Sequence, residues 1–398
     1  MKMFWPPHKQ FTRALSELVE VPTNVPFCEQ VFLFTQVLSK RFVRIRKQPE
    51  IVALGYWLRK ANIKQMKVDF DTKRGDSIVL ARGTVFHIAP SNVDTIFVYS
   101  WMLSMLAGNR NIIRISSKDQ NGLNTLLQII LDELTKPEFE AIANQTIICT
   151  YGHEEKATEQ ISSVCHTRVI WGGDLTVKEI RQVPLAPLAN ELTFPDRFSL
   201  SAMNSEAIVS LNESALVALA NQFYNDVFWF DQMACSSPRL IIWTGNQQDE
   251  AKACFWSAFE TVIQSKQYEL LAATQVLKYT TALQLAAEEQ VKYIKNDIYY
   301  SRVQLQQIEA NVREVHCGGG LFYEYDVTKL IEASPIIHDK DQTLAYFGIE
   351  QQELQTFIKA ISSRGLDRIV PIGQALDFDG TWDGQSFLTS FTRKVVMK

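Results

Sequence analysis

Apolar positions recur at helix-like spacing through residues 11–66, where Phe11, Leu15, Leu18, Val19, Phe32, Val37, Phe42, Leu54 and Leu58 follow one another with a break at Pro22 and Pro26. The pattern then changes. Ser77-Ile-Val-Leu-Ala and Gly83-Thr-Val-Phe-His-Ile-Ala are short, β-branched segments that read as strands. A long apolar helix is predicted over 94–106, closing at Gly108-Asn109. Strand-like and helix-like segments alternate from there: Asn111-Ile-Ile-Arg-Ile, a helix over 122–134, Gln145-Thr-Ile-Ile-Cys-Thr, a short helix over 158–164, Arg168-Val-Ile-Trp, and a helix ending at Arg181. Such alternation predicts parallel sheets built from crossover units. Parallel sheets bind ligands outside the carboxyl ends of their strands, which directs attention to the loops 90–93, 116–118 and 172–174.

A stretch with Pro184, Pro187 and Pro195 reads as a link over 184–198. Beyond it the alternation resumes, with helices predicted over 213–225, 250–265 and 351–362 and a clear strand at Leu240-Ile-Ile-Trp. The expectation is therefore an α/β chain of two parallel-sheet domains. Residues 1–198 form the first, with a helical lead-in. Residues 199–375 form the second, and 376–398 a C-terminal tail ending in a strand at Arg393-Lys-Val-Val-Met. No internal repeat interrupts this plan.

At 398 residues the chain is long enough for two such cores. Its 46% hydrophobic and 21% charged residues are ordinary for a globular protein. With 40 basic and 44 acidic residues, the net charge of −4 creates no field favouring nucleic acid or an anionic membrane. Asp94, Gly108 and Arg110 break the longest apolar stretch, so no membrane span is expected. Met1–Gln10 lacks the apolar run of a signal peptide. The six cysteines are scattered, without the spacing of a zinc site or a disulfide framework, so a reducing cytoplasm is expected.

Four places can carry chemistry. In Phe230-Asp-Gln-Met-Ala-Cys235-Ser-Ser-Pro-Arg, a polar turn between a helix and a strand holds a cysteine. There a thiol can be reached by substrate, with backbone N–H groups to stabilise thiolate and oxyanion; a buried, inert cysteine is the commoner alternative. In Pro90-Ser-Asn92-Val-Asp, the Asn92 amide is a fixed neutral donor suited to an oxyanion, or Ser91 or Asn92 simply caps the next helix. Trp171-Gly172-Gly173-Asp174 joins a strand to a helix, either as a close approach to a phosphate or as a tight turn. His316-Cys317-Gly-Gly-Gly320 is a rival thiol, although adjacent residues seldom point the same way and the glycines suggest a flexible loop.

Together, Gly83–Thr95, Leu106–Asn109 with Ile112–Ser117, Val169–Asp174 and Asp231–Arg239 resemble, in order and spacing, the fatty acyl-CoA reductases of bacterial bioluminescence (LuxC-type), a branch of the aldehyde-dehydrogenase superfamily. The run Arg364–Phe378 and Trp382-Asp-Gly384 extend the resemblance, which covers residues 80–398.

The resemblance implies an aldehyde-dehydrogenase-like fold, with the cysteine carried into a cleft between the two domains. The implied reaction is NADPH-dependent reduction of an acyl thioester to an aldehyde through an acyl-enzyme. Cys235 matches the acyl-accepting cysteine and Asn92 the oxyanion-hole Asn. Arg114 stands where the superfamily usually has a lysine at the cofactor ribose. With Ser116, Ser117 and Lys118 it can hold a 2′-phosphate, which favours NADPH over NADH. Gly172 and Gly173 match the turn packed on the pyrophosphate. Acyl-CoA or an acyl carrier as substrate, an acyl-protein synthetase as partner and a homo-oligomer are implied in the same way. No metal is called for.

The departures are informative. Glu191-Leu-Thr-Phe-Pro-Asp196 keeps the Glu-Leu of the hydrolytic enzymes' base motif but has lost its glycines, so Glu191 reads as a surface residue of the link rather than as a base. The ribose-binding Glu-x-Phe-Gly-Pro motif is missing, and Gly83 stands closer to the N-terminus than is usual. These departures leave a non-catalytic or partner-dependent scaffold subunit as the alternative function.

Overall fold

Parallel neighbours must be joined by crossovers, and strands buried on both faces read as near-continuous apolar runs. The computed structural model of the protein describes all residues except 46–47, 91–92, 94, 117–120, 153–155, 289, 310 and 398, and only the backbone of 121–122. The chain forms an α/β fold of two units, Met1–Asp196 with Phe378–Lys398, and Arg197–Asp377.

The strands of the first unit's N-terminal portion are β1 (Lys2–Trp5), β2 (Ile78–Ala81), β3 (Thr84–Ile88), β4 (Arg110–Arg114), β5 (Thr146–Thr150), β6 (Thr167–Trp171) and β7 (Asn190–Phe194). Six of them make one sheet in the order β1-β5-β4-β3-β6-β7. All neighbours are parallel except the edge pair β1–β5. The central strand β3 is buried along its whole length. Strand order reverses there, with β4 and β5 on one side and β6 and β7 on the other. In an open α/β sheet this reversal opens a crevice beyond the carboxyl ends.

The lead-in forms four helices, Phe11–Glu20, Glu29–Phe42, Pro49–Trp57 and Lys60–Arg74. The first lays Ala14, Leu15 and Leu18 into the core shared with Phe86, Ile112 and Ile147. Helix Ile96–Leu106 is buried on every face, as its all-round apolar sequence requires.

Two elements here differ from the sequence reading. The four residues of β1 gave too short a pattern to register. Residues 190–194, read as part of a link, are β7, in register with β6 from Thr167↔Asn190 to Trp171↔Phe194. Prolines on either side disguised an edge strand whose Leu192 and Phe194 turn inward.

The second unit contains β8 (Phe198–Asn204), β9 (Pro238–Thr244), β10 (Val291–Asn296), β11 (Ser301–Leu305), β12 (Leu321–Asp326), β13 (Asp341–Phe347) and β14 (Arg368–Pro371). They form one sheet in the order β10-β11-β12-β9-β8-β13-β14, parallel apart from β10–β11. Helices Glu213–Phe228 and Gln248–Ser265 cover one face. Helices Ala272–Ala287 and Gln351–Ala360 contribute to the core on the other. The sequence pattern did not reveal Ala272–Ala287. Its Val276, Leu277 and Leu283 are exposed, and inward-facing Thr281 and Lys278 blur the apolar period.

The remaining strands lie in the C-terminal tail: β15 (Thr381–Trp382), β16 (Gln385–Ser386) and β17 (Thr392–Val395). The strand-like end, β17, pairs antiparallel with β2 of its own chain. Upstream, Phe387 stacks near Trp171 and Phe194, and Phe391 packs beside His87. Tyr99 meets Phe378, Trp382 and Phe387, so aromatic area fastens the tail to the first unit. Among the described residues no helix is long and apolar enough to cross a membrane.

One buried charge is built into the second sheet. Glu324 on β12 is fully buried and accepts from the indole N–H groups of Trp243 and Trp256, both at 2.9 Å. Arg302 on β11 donates to the same carboxylate through Nε at 3.0 Å and Nη2 at 2.9 Å, with its guanidinium over the Trp256 ring. Removing one partner of a buried pair strands the other's charge. Glu324→Gln is accordingly expected to destabilise the protein by about 3–5 kcal/mol, read as a lower denaturant midpoint. A midpoint matching wild type would show that the pair is not a stability determinant.

Candidate active site

Helix Glu213–Phe228 and β9 both belong to the buried core, so the turn joining them must satisfy its own backbone polar groups. Asp231 and Gln232 carry it through two consecutive left-handed conformations, φ 50° and 62°. These cost about 1–2 kcal/mol each for residues with a Cβ. The conformation is held by the fully buried Gln232 side chain. Its Nε2 donates to the carbonyls of Pro238 (2.9 Å) and Leu321 (3.0 Å), and its Oε1 accepts from Gly320 N–H at 3.0 Å. Ser237 Oγ donates to Asp226 O at 2.7 Å, and Ser199 Oγ on β8 donates to Cys235 O at 2.7 Å.

Cys235 is a partly exposed residue on this pinned turn. The Gln342 amide at the start of β13 donates to its Sγ at 3.4 Å. The alternative of a buried, inert cysteine describes Cys149 and Cys165 instead. Both are buried, and burial pushes the Cys165 thiol up to about 12.

The rival thiol has no activating partner in its histidine. His316 is partly buried, donates through Nε2 to Leu321 O at 2.7 Å and accepts at Nδ1 from Gly318 N–H at 3.0 Å. Burial, reinforced by Arg239, holds its pKa well below the ordinary value, so the ring stays neutral. Burial also raises the Cys317 thiol. The three glycines are not a loose loop. All three have positive φ, and Gly319 N–H donates to Asp231 O at 2.8 Å. A Cβ at Gly320 would lie 2.7 Å from Tyr299 O. The glycine run is the wall against which the Cys235 turn docks.

In the first unit, the other sequence-predicted residues gather at the carboxyl ends of the strands flanking β3. Arg114 ends β4, donates to Tyr151 O at 3.3 Å and lies over the Tyr151 ring. Ser116 follows two residues later, partly buried. Gly172 leaves β6, and Gly173 caps helix Asp174–Arg181. Asn92, Ser117 and Lys118 lie outside the described residues.

The Gly-Gly turn carries a feature the sequence did not disclose. Asp196 Oδ2 accepts from Asp174 N–H at 3.2 Å, and Asp174 Oδ1 accepts from Asp196 N–H at 3.2 Å. A carboxylate therefore already occupies one donor of that helix N-terminus, where an anion would otherwise be drawn. A separate cleft of about 690 Å³, between helix Lys60–Arg74 and the tail, contains none of these residues.

Glu191 is not a surface residue of a link. On β7 it receives Arg168 Nη2 at 2.6 Å on one oxygen and Arg181 Nε at 2.8 Å on the other. Both of its oxygens are thus engaged by guanidinium groups.

The family model for acyl-CoA reductase (LuxC) matches residues 66–394. The chain belongs to the LuxC acyl-CoA reductase family. Within it, this chain is 24% identical over 312 residues to the long-chain acyl-protein thioester reductase of Photorhabdus laumondii subsp. laumondii, covering 76% of this chain and 61% of that protein. It is 27% identical over 173 residues to long-chain acyl-protein thioester reductase 2 of Photobacterium leiognathi, 43% of this chain and 34% of that protein. The chain thus spans less than two thirds of the length of these LuxC-like relatives.

The fold of this LuxC-family chain is that of the aldehyde dehydrogenases. Aldehyde dehydrogenase 21 from Physcomitrella patens, solved with its reaction product succinate, superposes with a TM-score of 0.71 at 12% identity, over 98% of this chain and 92% of that one. Glyceraldehyde-3-phosphate dehydrogenase from Methanocaldococcus jannaschii, solved with NADP, gives 0.65 at 12% identity, over 96% and 92%.

The loop leaving β14 is fixed to the helix that precedes the cysteine turn. Asp226 accepts from Gly373 N–H at 2.6 Å and Ala375 N–H at 3.0 Å. Burial pushes its carboxyl up to about 7 against the opposing effect of those two donors. The unfolded chain gives up this proton in the ordinary carboxylate range, so the folded chain holds one more proton from there to about pH 7. Stability therefore falls as pH rises through that window. Asp226→Asn should flatten this slope in unfolding free energies measured by urea across the window; an unaltered slope would assign it to other groups.

Proposed function

We propose that this chain reduces an acyl thioester to an aldehyde with NADPH, through an acyl-enzyme on Cys235. The observation that carries the reading is the Cys235 turn. A partly exposed cysteine follows, within three residues, a left-handed turn that buried hydrogen bonds hold in place, in a chain of the LuxC family. The first unit is proposed as the NADPH-binding domain, the second as the catalytic domain and the tail strand as an oligomerisation element of a cytoplasmic homo-oligomer.

The reversal of strand order at β3 fits a dinucleotide. Arg114, Ser116 and Ser117 would hold it on one side, with the Gly172-Gly173 turn beside it. NADPH bound there supplies the hydride that reduces the enzyme thioester. The Cys235 thiolate adds to the substrate's thioester carbonyl, and the Asn92 amide and a backbone N–H donate to the oxyanion. The carbon–sulfur bond to the carrier then breaks and the carrier thiolate takes up a proton from solvent, leaving the acyl group on Cys235. After reduction, the second oxyanion collapses, the bond to Cys235 breaks, and aldehyde leaves as the thiolate is restored. With both Glu191 oxygens engaged by arginines, that carboxylate does not activate water against the intermediate.

The relatives' designation as acyl-protein thioester reductases supports a donor in which the acyl group is carried on a protein, for which an acyl-protein synthetase is the proposed partner, beside free acyl-CoA. Intact-mass measurement with a panel of acyl-CoAs, and with an acylated partner, should show an adduct that maps to Cys235 and disappears with NADPH. Cys235→Ala should give neither adduct nor turnover while still binding NADPH. An adduct persisting in that variant would move the nucleophile elsewhere.

Arg114→Ala should weaken NADPH binding about tenfold, the value of one lost charge-assisted contact, and NADH binding far less. Fluorescence titration with both cofactors checks this, and equal losses would remove Arg114 from the 2′-phosphate.

A further inference from the structure

Cys235 and Gln342 are 107 positions apart in the sequence, yet Gln342 Nε2 lies 3.4 Å from Cys235 Sγ. Gln342 is almost fully buried, on the first turn of the pleat of β13. Three hydrogen bonds fix this part of β13 and the direction of the amide. Its backbone carbonyl accepts from Asp367 N–H at 2.9 Å, within the β13–β14 loop region. Its Oε1 accepts from Thr343 Oγ1 at 3.3 Å, which orients oxygen toward the hydroxyl and nitrogen toward the sulfur. The next residue's N–H, on Thr343, donates to Ser199 Oγ at 3.2 Å, and that same hydroxyl holds the Cys235 carbonyl. The cysteine's sulfur is thus contacted from β13 directly, and its carbonyl is held by Ser199 of β8, which β13 itself binds.

The neighbouring charge faces elsewhere. Asp341 precedes Gln342, so its side chain turns to the opposite face of the strand. There Arg313 takes both its oxygens at 2.7 Å. What β13 presents to the sulfur is a neutral donor.

We propose that Gln342 is a positioning residue for Cys235, donating its amide N–H to the thiolate and fixing the direction from which sulfur attacks; the inference rests on the reading of Cys235 as the nucleophile. A hydrogen bond to an ionised acceptor stabilises it more than the neutral thiol, so the donor favours thiolate near neutral pH. A primary amide is also a poor base. It holds the thiolate without a group able to deprotonate water, which suits an acyl-enzyme that must last until it is reduced.

Alkylation of the full chain by iodoacetamide, in which the thiolate displaces iodide, tests this without any acyl substrate. The rate at Cys235 is followed across pH by mass spectrometry. Gln342→Leu should lower that rate about tenfold at neutral pH and move the midpoint of the profile upward, because one hydrogen bond to the charged form is lost. Should that variant fail to fold, near-isosteric Gln342→Glu carries the test. Its carboxylate opposes the thiolate and must shift the midpoint upward as well. A folded Gln342→Leu or Gln342→Glu protein with the wild-type profile would overturn the inference while leaving Cys235 as nucleophile. A wild-type Cys235 no more reactive than an ordinary thiol would overturn the nucleophile reading itself.

Discussion

The second unit depends on a backbone problem solved by one side chain. A turn between a buried helix and a buried strand exposes peptide groups to a dry interior, where an unpaired N–H or C=O costs about 1–3 kcal/mol. Gln232 answers it with two donated bonds and one accepted bond, tying the turn to the starts of β9 and β12. Its left-handed backbone, and that of Asp231, persist because these bonds fix them. Cys235 comes three residues later, so its position follows from this anchoring. Ser199 then fastens the Cys235 carbonyl, and Ser237 ties the end of the turn to Asp226. The glycine run 318–320 completes the arrangement, since only residues without a Cβ allow the turn so close.

The two sheets solve the same architectural problem differently. In the first, the strand order reverses at β3 and brings Arg114, Ser116 and the Gly172-Gly173 turn to one end of the sheet. The α/β plan provides that assembly whatever the side chains. The residues then set its charge: a guanidinium at the end of β4, and a pair of aspartates just beyond β6 and β7. In the second, a carboxylate on β12 is enclosed by two indoles and an arginine, and Lys252 bridges Gln304 and Asp326 nearby. Such buried polar groups tolerate few alternative packings, because each would strand a charge.

The chemistry proposed for the chain turns on which groups cannot act as bases. Glu191, closest by motif to the base of the hydrolytic relatives, is an ion-pair partner of two arginines within β7. His316, closest by sequence to a second thiol, is a neutral ring committed at both nitrogens. Among the described residues, Gln342 reaches Cys235 with an amide, a donor that cannot take a proton from water.

The sequence by itself determined the α/β alternation, most of the strand and helix positions, and the placement of Cys235 on a turn between a helix and a strand. It also carried the LuxC-type motifs and the residues at the strand ends beyond β4 and β6. All of these are written in local periodicity, in turn residues or in short motifs, which depend on neighbours within a few positions. Only the tertiary structure decided what Glu191 does, that β1 and the tail join the first unit, and that the glycine run supports a turn some eighty-five positions before it, a closure that contributes no local pattern. It alone placed Gln342 against Cys235 and Asp196 against the Gly-Gly turn. A polar residue's sequence context reports whether it can be buried, but its partner is set by strand order and register. Those emerge only when distant segments pack together.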